Sequence, residues 1–119
     1  MAKTVLIIDD VGFDRIIISA LLRQSVYEVI DEASNGIDGI KKAMELQPDL
    51  ITLDKRMPDM NGLEVLKDLR NKNYIKDIVM ISGDDVDSIK DEAMKLGVKV
   101  FFNKPISRER LKTELSKLF

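Results

Sequence analysis

Five short apolar runs punctuate this chain, and a segment with helical spacing follows each of them. Val5–Ile8, Glu28–Ala33, Leu50–Asp54, Ile78–Ile81 and Val100–Phe102 have the length of strands rather than of buried helices. Near-continuous apolar strands are buried on both faces, which belongs to parallel sheets, and parallel strands need helical crossovers. The intervening segments supply them. Phe13, Ile17, Ala20, Leu21 and Gln24 predict a first helix ending near Ser25, with Ile18 and Leu22 off its core stripe. Asn35-Gly36 opens a second helix, carried by Ile37, Ile40, Ala43 and Met44 and ending before Pro48. A third follows Asn61, with Leu63, Leu66 and Leu69 facing inward. The fourth carries Val86, Ile89, Ala93 and Leu96, with Gly97 as its C-terminal cap. Ser107 caps the last, which turns Leu111, Leu115 and Leu118 inward. The expected fold is a doubly wound α/β domain, a five-stranded parallel sheet with five helices, four as crossovers and one closing the sheet.

A length of 119 residues fits one domain with a proper core. A net charge of −2 argues against a general nucleic-acid binder, which needs a basic surplus. The chain has no cysteine and no histidine, so thiolate chemistry, cysteine-ligated zinc and imidazole bases are all excluded. The first apolar run is too short for a signal-peptide core or a membrane span, which predicts a cytoplasmic protein without membrane insertion.

The chemistry gathers at the strand ends. Leu50-Ile51-Thr52-Leu53 stops on the carboxylate Asp54; Pro58 then blocks simple continuation, and Asn61-Gly62 supplies a turn or cap. An acid ending a strand can be mere solvation, but in open α/β sheets the carboxyl ends of the strands are where ligands bind. The first strand ends in Asp9-Asp10, the fourth in Ser82, the fifth at Lys104. Three carboxylates in one crevice require raised pKa values or a cation among them. Oxygen ligands without His or Cys suit Mg²⁺. Phosphoryl transfer uses the whole set. Asp54 is the nucleophile that forms an acyl phosphate, Mg²⁺ and Lys104 neutralise its oxygens, and Ser82 donates a hydrogen bond to one of them. A cis bond between Lys104 and Pro105 would aim the lysine back over the sheet edge.

These motifs resemble the receiver domain of two-component response regulators. They are Ile7-Ile8-Asp9-Asp10, Leu53-Asp54 with Met57-Pro58 and Met60-Asn61-Gly62, Ser82-Gly83, and Phe101 with Asn103-Lys104-Pro105. The resemblance covers essentially residues 1–119 and implies the flavodoxin-like strand order 2-1-3-4-5. It also implies roles: Asp9 and Asp10 as the Mg²⁺ acid pair, Asp54 as phosphoacceptor and metal ligand, and the Arg56 backbone carbonyl as a further ligand. Ser82 becomes the switch hydroxyl, Phe101 the switch aromatic and Lys104 the phosphate-sensing lysine. Arg56 and Asp84 occupy variable positions that tune phosphoryl lifetime, and their opposite charges suggest an ion pair across the site mouth. Two departures stand out. Lys55 replaces a more usual apolar residue, and Phe101 lacks the hydroxyl of the more familiar tyrosine.

The implied protein is a signalling switch that catalyses only its own aspartyl phosphorylation and dephosphorylation. Its implied partners are a sensor histidine kinase or histidine phosphotransfer protein, and a downstream effector docked on the face of the fourth helix, fifth strand and fifth helix. No effector domain is expected within the chain; the alternative reading is a phosphorelay carrier or the receiver portion of a longer transcriptional regulator. Other residues have plainer readings. Asp84-Asp85 cap a helix, Asp87, Asp91 and Lys95 form a solvated face, and the methionines fill core or surface. Ile18 and Leu22 are either half-buried or a small docking patch for a kinase-side partner. Among rivals, a phosphatase of the haloacid dehalogenase type needs two acids separated by one residue, and Asp9 and Asp10 are adjacent. A flavodoxin needs hydroxyls and amides in its first loop, which here is acidic. A degenerate receiver would lack part of the acid, hydroxyl and lysine set.

Overall fold

A computed structural model describes residues 2–23, 26–83 and 87–118. Gln24, Ser25, Asp84, Asp85 and Val86 lie outside the described residues. The strands are β1 (Lys3–Ile8), β2 (Tyr27–Ala33), β3 (Leu50–Asp54), β4 (Asp77–Ser82) and β5 (Phe101–Asn103). Between and after them run α1 (Gly12–Leu22), α2 (Gly36–Leu46), α3 (Gly62–Asn71), α4 (Asp87–Lys95) and α5 (Arg108–Ser116). All strand pairs are parallel, in the order β2-β1-β3-β4-β5. That order matches the expected one.

Alternation along each strand divides the core into two layers. Leu6, Ile8, Ile51, Leu53, Ile78 and Met80 point to one face, where Ile40 and Ala43 of α2, Val65, Leu66 and Leu69 of α3, and Ala93 of α4 cover them. Val5, Ile7, Leu50, Val79, Ile81 and Phe102 point to the other, under Ile18 and Leu22 of α1 and Leu111 and Leu115 of α5. β3 is buried at all five of its positions, whereas the edge strand β2 is mostly half-exposed.

Two helices present other faces than the sequence suggests. In α1 the core stripe is Ile18 and Leu22, at 2% and 1% exposure, while Phe13 is 69% exposed. Ile17 and Ala20 also face solvent, and Leu21 is half-buried. Ile18 and Leu22 are therefore core, neither half-buried nor a docking patch. The reason is that α1 is apolar over most of its circumference, so spacing alone leaves its rotation open. In α2, Ile37 is 68% exposed. The inner face is instead Gly36, Gly39, Ile40 and Ala43. Glycine carries no apolar signal, yet a Cβ on Gly39 would stand 2.8 Å from Ile8, so small residues bring this helix close to β1.

The helix ends are capped as their sequences imply. Asn35 accepts from the Asp38 amide at 2.8 Å, and the two oxygens of Asp59 take the Gly36 and Ile37 amides, each at 2.8 Å. Asn61 and Glu64 form a reciprocal capping box at the start of α3. Ser107 caps α5 through the Arg110 amide, and Gly97 takes φ +92° just past α4, a left-handed conformation suited to glycine.

Candidate functional site

Parallel register brings the strand ends together. Ile8 pairs with Leu53, Asp54 with Ile81, and Ser82 with Asn103. Asp9 thus follows β1 beside the Asp54 that ends β3, and Lys104 leaves β5 beside the end of β4. Asp9, Asp54 and Ser82 are buried, Asp10 is exposed, and Phe101 is half-buried against the α2–α4 side of the core.

Local hydrogen bonds hold these groups in place. The Asp9 amide donates to the Ala33 carbonyl at 3.0 Å, and Asp9 Oδ1 accepts from the Val11 amide at 3.0 Å. Arg15 donates to the Asp9 carbonyl at 2.7 Å and to Glu32 at 3.0 Å, fastening the loop to β2. The Lys104 amide donates to the Ser82 carbonyl at 2.9 Å. The Lys104–Pro105 bond is cis, as expected. After β3 the Gly62 amide donates to the Lys55 carbonyl at 2.6 Å. A Cβ on Gly62 would stand 2.5 Å from the Asp54 carbonyl oxygen, so only glycine fits this approach of loop to strand.

One carboxylate oxygen from each of Asp9, Asp10 and Asp54 lies within 4.8 Å of the others. Burial, then the charge of Asp9, push the Asp54 carboxyl up to about 7 against the opposing pull of Lys104. A cation among these oxygens relieves that repulsion, and the donor set is purely oxygen, which fits a hard ion such as Mg²⁺. The Lys104 ammonium is 2.9 Å from Asp9 Oδ2 and 3.6 Å from Asp54 Oδ2. Burial alone would lower its pKa, but hydrogen bonds with Asp14 and Asp9 outweigh that and raise it.

Residues 5–116 match the family model described as the response regulator receiver domain. The chain belongs to that family. It is 36% identical over 118 residues to the chemotaxis protein CheY of Thermotoga maritima, covering 99% of this chain and 98% of the relative. With CheY of Bacillus subtilis it shares 35% over 117 residues, 98% of each. Among solved structures, the CheX–CheY–BeF3–Mg²⁺ complex from Borrelia burgdorferi superposes with a TM-score of 0.92 at 25% identity, over 98% of this chain and 89% of that one. The response regulator domain of Thermotoga maritima CheB gives 0.84 at 31% identity, over 98% and 92%.

In this receiver domain the fold therefore assembles Asp9, Asp10, Asp54, Ser82 and Lys104 at one sheet edge. Arg56 stands exposed in the loop after β3. Its suggested partner Asp84 lies outside the described residues, and so does the pairing across the mouth. Phe101 takes contacts that spacing did not suggest. Its carbonyl accepts from Arg110 at 2.8 Å, and the Lys90 ammonium stands 5.8 Å from its ring centre. One residue escaped the sequence reading altogether. Asp14, in the first turn of α1, accepts from the Lys104 ammonium at 2.8 Å. An acid in a first turn reads as an ordinary partner of the helix dipole, so its only other signal was its nearness in sequence to the acid pair. Among the described residues no helix is long and apolar enough to cross a membrane.

Proposed function

We propose that the chain, taken as one receiver domain over residues 1–119, is a phosphorylation-driven signalling switch of CheY type whose phosphoacceptor is Asp54. The observation that carries this reading is a buried carboxyl at the tip of β3, set between the acids Asp9 and Asp10 and the Lys104 ammonium. The donor is the phosphohistidine of a sensor kinase or of a histidine phosphotransfer protein. An Asp54 carboxylate oxygen attacks phosphorus as the bond from phosphorus to the imidazole nitrogen breaks. The electron pair of that bond stays on the imidazole, and the product is an aspartyl phosphate. Asp9, Asp10, Asp54 and the Arg56 backbone carbonyl would hold Mg²⁺, which supplies positive charge against the phosphoryl oxygens and favours the ionised nucleophile.

Lys104 neutralises a further phosphoryl oxygen, and the Ser82 hydroxyl moves over to donate to another. Phe101, lacking a polar tip, then turns inward into the space behind Ser82. The new charge of about −1.5 to −2 is thereby read out on the face of α4, β5 and α5, where an effector protein docks. Arg56 and Asp84 flank the mouth and set how fast water removes the phosphoryl group. The catalysis is confined to the protein's own aspartate, and the setting is the cytoplasm. Likeness to CheY supports a chemotactic pathway.

Acetyl phosphate with Mg²⁺ should add one phosphoryl group that hydroxylamine removes, and Asp54→Ala should take up none. A modification that survives Asp54→Ala would place the nucleophile elsewhere. Beryllofluoride with Mg²⁺ should move amide resonances at Ser82, along α4 and over β5 while α2 stays quiet. Shifts confined to the acid cluster would remove the output face.

A further inference from the structure

We propose that Asp14 is a positioning residue. It latches the Lys104 ammonium against α1 in the unphosphorylated chain and so sets how readily that ammonium is released to the phosphoryl group. The inference builds on Asp54 being the phosphoacceptor.

An ammonium has three N–H donors and no acceptor. In Lys104 they are directed to Asp14 Oδ2 at 2.8 Å and Asp9 Oδ2 at 2.9 Å, while Asp54 Oδ2, at 3.6 Å, stands beyond ordinary hydrogen-bond reach. The lysine that must meet the phosphoryl oxygens is thus tied to two other carboxylates. Asp9 belongs to the acid cluster beside the acceptor, and its Oδ1 is taken by the Val11 amide. Asp14 lies outside that cluster, so the Asp14–Lys104 bond holds one of the three ammonium donors on α1 rather than at the acceptor.

The two groups are 90 residues apart in sequence, and their side chains are 26% and 17% exposed, so solvent screens them less than a surface pair. A state in which Lys104 has left Asp14 is the state competent to grip the phosphoryl group. Affinity for a phosphoryl mimic is reduced by the fraction of molecules in which the latch is closed. Asp14 acts through Lys104, whose ammonium it holds at 2.8 Å.

Two measurements test this. In the metal-free chain, labelled at lysine nitrogen, Asp14→Asn should speed exchange of the Lys104 ammonium protons with water; unchanged exchange would overturn the latch. With saturating Mg²⁺, Asp14→Asn should bind beryllofluoride about three- to five-fold tighter, the upper part of what an ion pair supplies. Unchanged or weaker binding would also overturn it. The same comparison in a Lys104→Ala background should show no difference, within about two-fold, if the latch is the cause. Tightening that persists there would mean that Asp14 merely repels the anion. Should Asp14→Asn fail to fold, Asp14→Ser takes its place in every arm. A wild-type chain that accepts neither acetyl phosphate nor beryllofluoride would sink the phosphoacceptor reading instead, and the ammonium exchange would still decide whether Asp14 holds Lys104.

Discussion

β3 has an aspartate at each end, and the two are treated in opposite ways. Before its first residue, Asp49 accepts from the Thr4 amide at 2.8 Å and the Thr4 hydroxyl at 3.1 Å, and its own amide donates back to that hydroxyl at 3.0 Å. The Thr4 amide bond is the largest influence on Asp49 and holds its carboxyl below the usual carboxylate range. At the other end Asp54 is buried among like charges and is pushed up to about 7. One carboxylate ties two neighbouring strands together; the other is buried among like charges at a cost in stability. A carboxylate that the fold crowds with like charge is available for chemistry, and one whose charge it satisfies is not. The contrast can be broken or sharpened at four positions.

The largest effect belongs to Asp54. Asp54→Ala should abolish phosphorylation, while Asp54→Asn should stabilise the metal-free chain by ~1 kcal/mol, seen as a melting point higher by a few degrees. A lower melting point would mean that Lys104 compensates the buried charge after all. Next comes Gly62→Ala, whose methyl group meets the Asp54 carbonyl and Met80. It should cost ~1–3 kcal/mol in urea unfolding and slow phosphorylation as well, because the acceptor's backbone must shift. Loss of stability at an unchanged phosphorylation rate would separate loop packing from the nucleophile.

Asp49→Ala should cost ~1–2 kcal/mol and leave phosphorylation untouched. The folded-state pKa of Asp49 is depressed, so the folded chain holds this proton less tightly than the unfolded one. Its contribution is fully present above the ordinary carboxylate value of about 4 and is lost as pH falls through the lower folded value. Stabilities of wild type and variant, compared by denaturant titration, should therefore converge below about pH 4; a constant gap would remove the ionic part of this bond. The smallest effect lies midway along the strand, at Thr52. Its hydroxyl is buried with no hydrogen-bond partner among the described residues. Thr52→Val should be neutral or stabilising by up to ~1 kcal/mol; a clear loss would reveal a bond to that hydroxyl.

The alternation of strand and helix, and the polar group ending each inner strand, were legible residue by residue. Short apolar runs leave few alternatives to a parallel sheet, and in such a sheet Asp9, Asp54, Ser82 and Lys104 have one edge to share. Local chemistry carried the caps too: Asn35, Asn61, Ser107 and Gly97 act on backbone groups within a few residues of themselves. Helix rotation was not legible. α1 offers apolar side chains at Phe13, Ile16, Ile17, Ile18 and Leu22, and only its position over Val5 and Ile7 selects Ile18 and Leu22. α2 buries glycines that no hydrophobic pattern registers.

What the amino-acid order determined alone is therefore whatever rests on contacts between near neighbours: element type, caps, turns and the residue at each strand tip. Tertiary structure decided which face of each helix is buried and which partners meet across the chain. The Asp14–Lys104 bond is the clearest case, since its two charges are ordinary in their own segments. They become a pair because the sheet sets the start of α1 against the end of β5, and an ion pair depends on distance in space, which spacing along the chain does not encode.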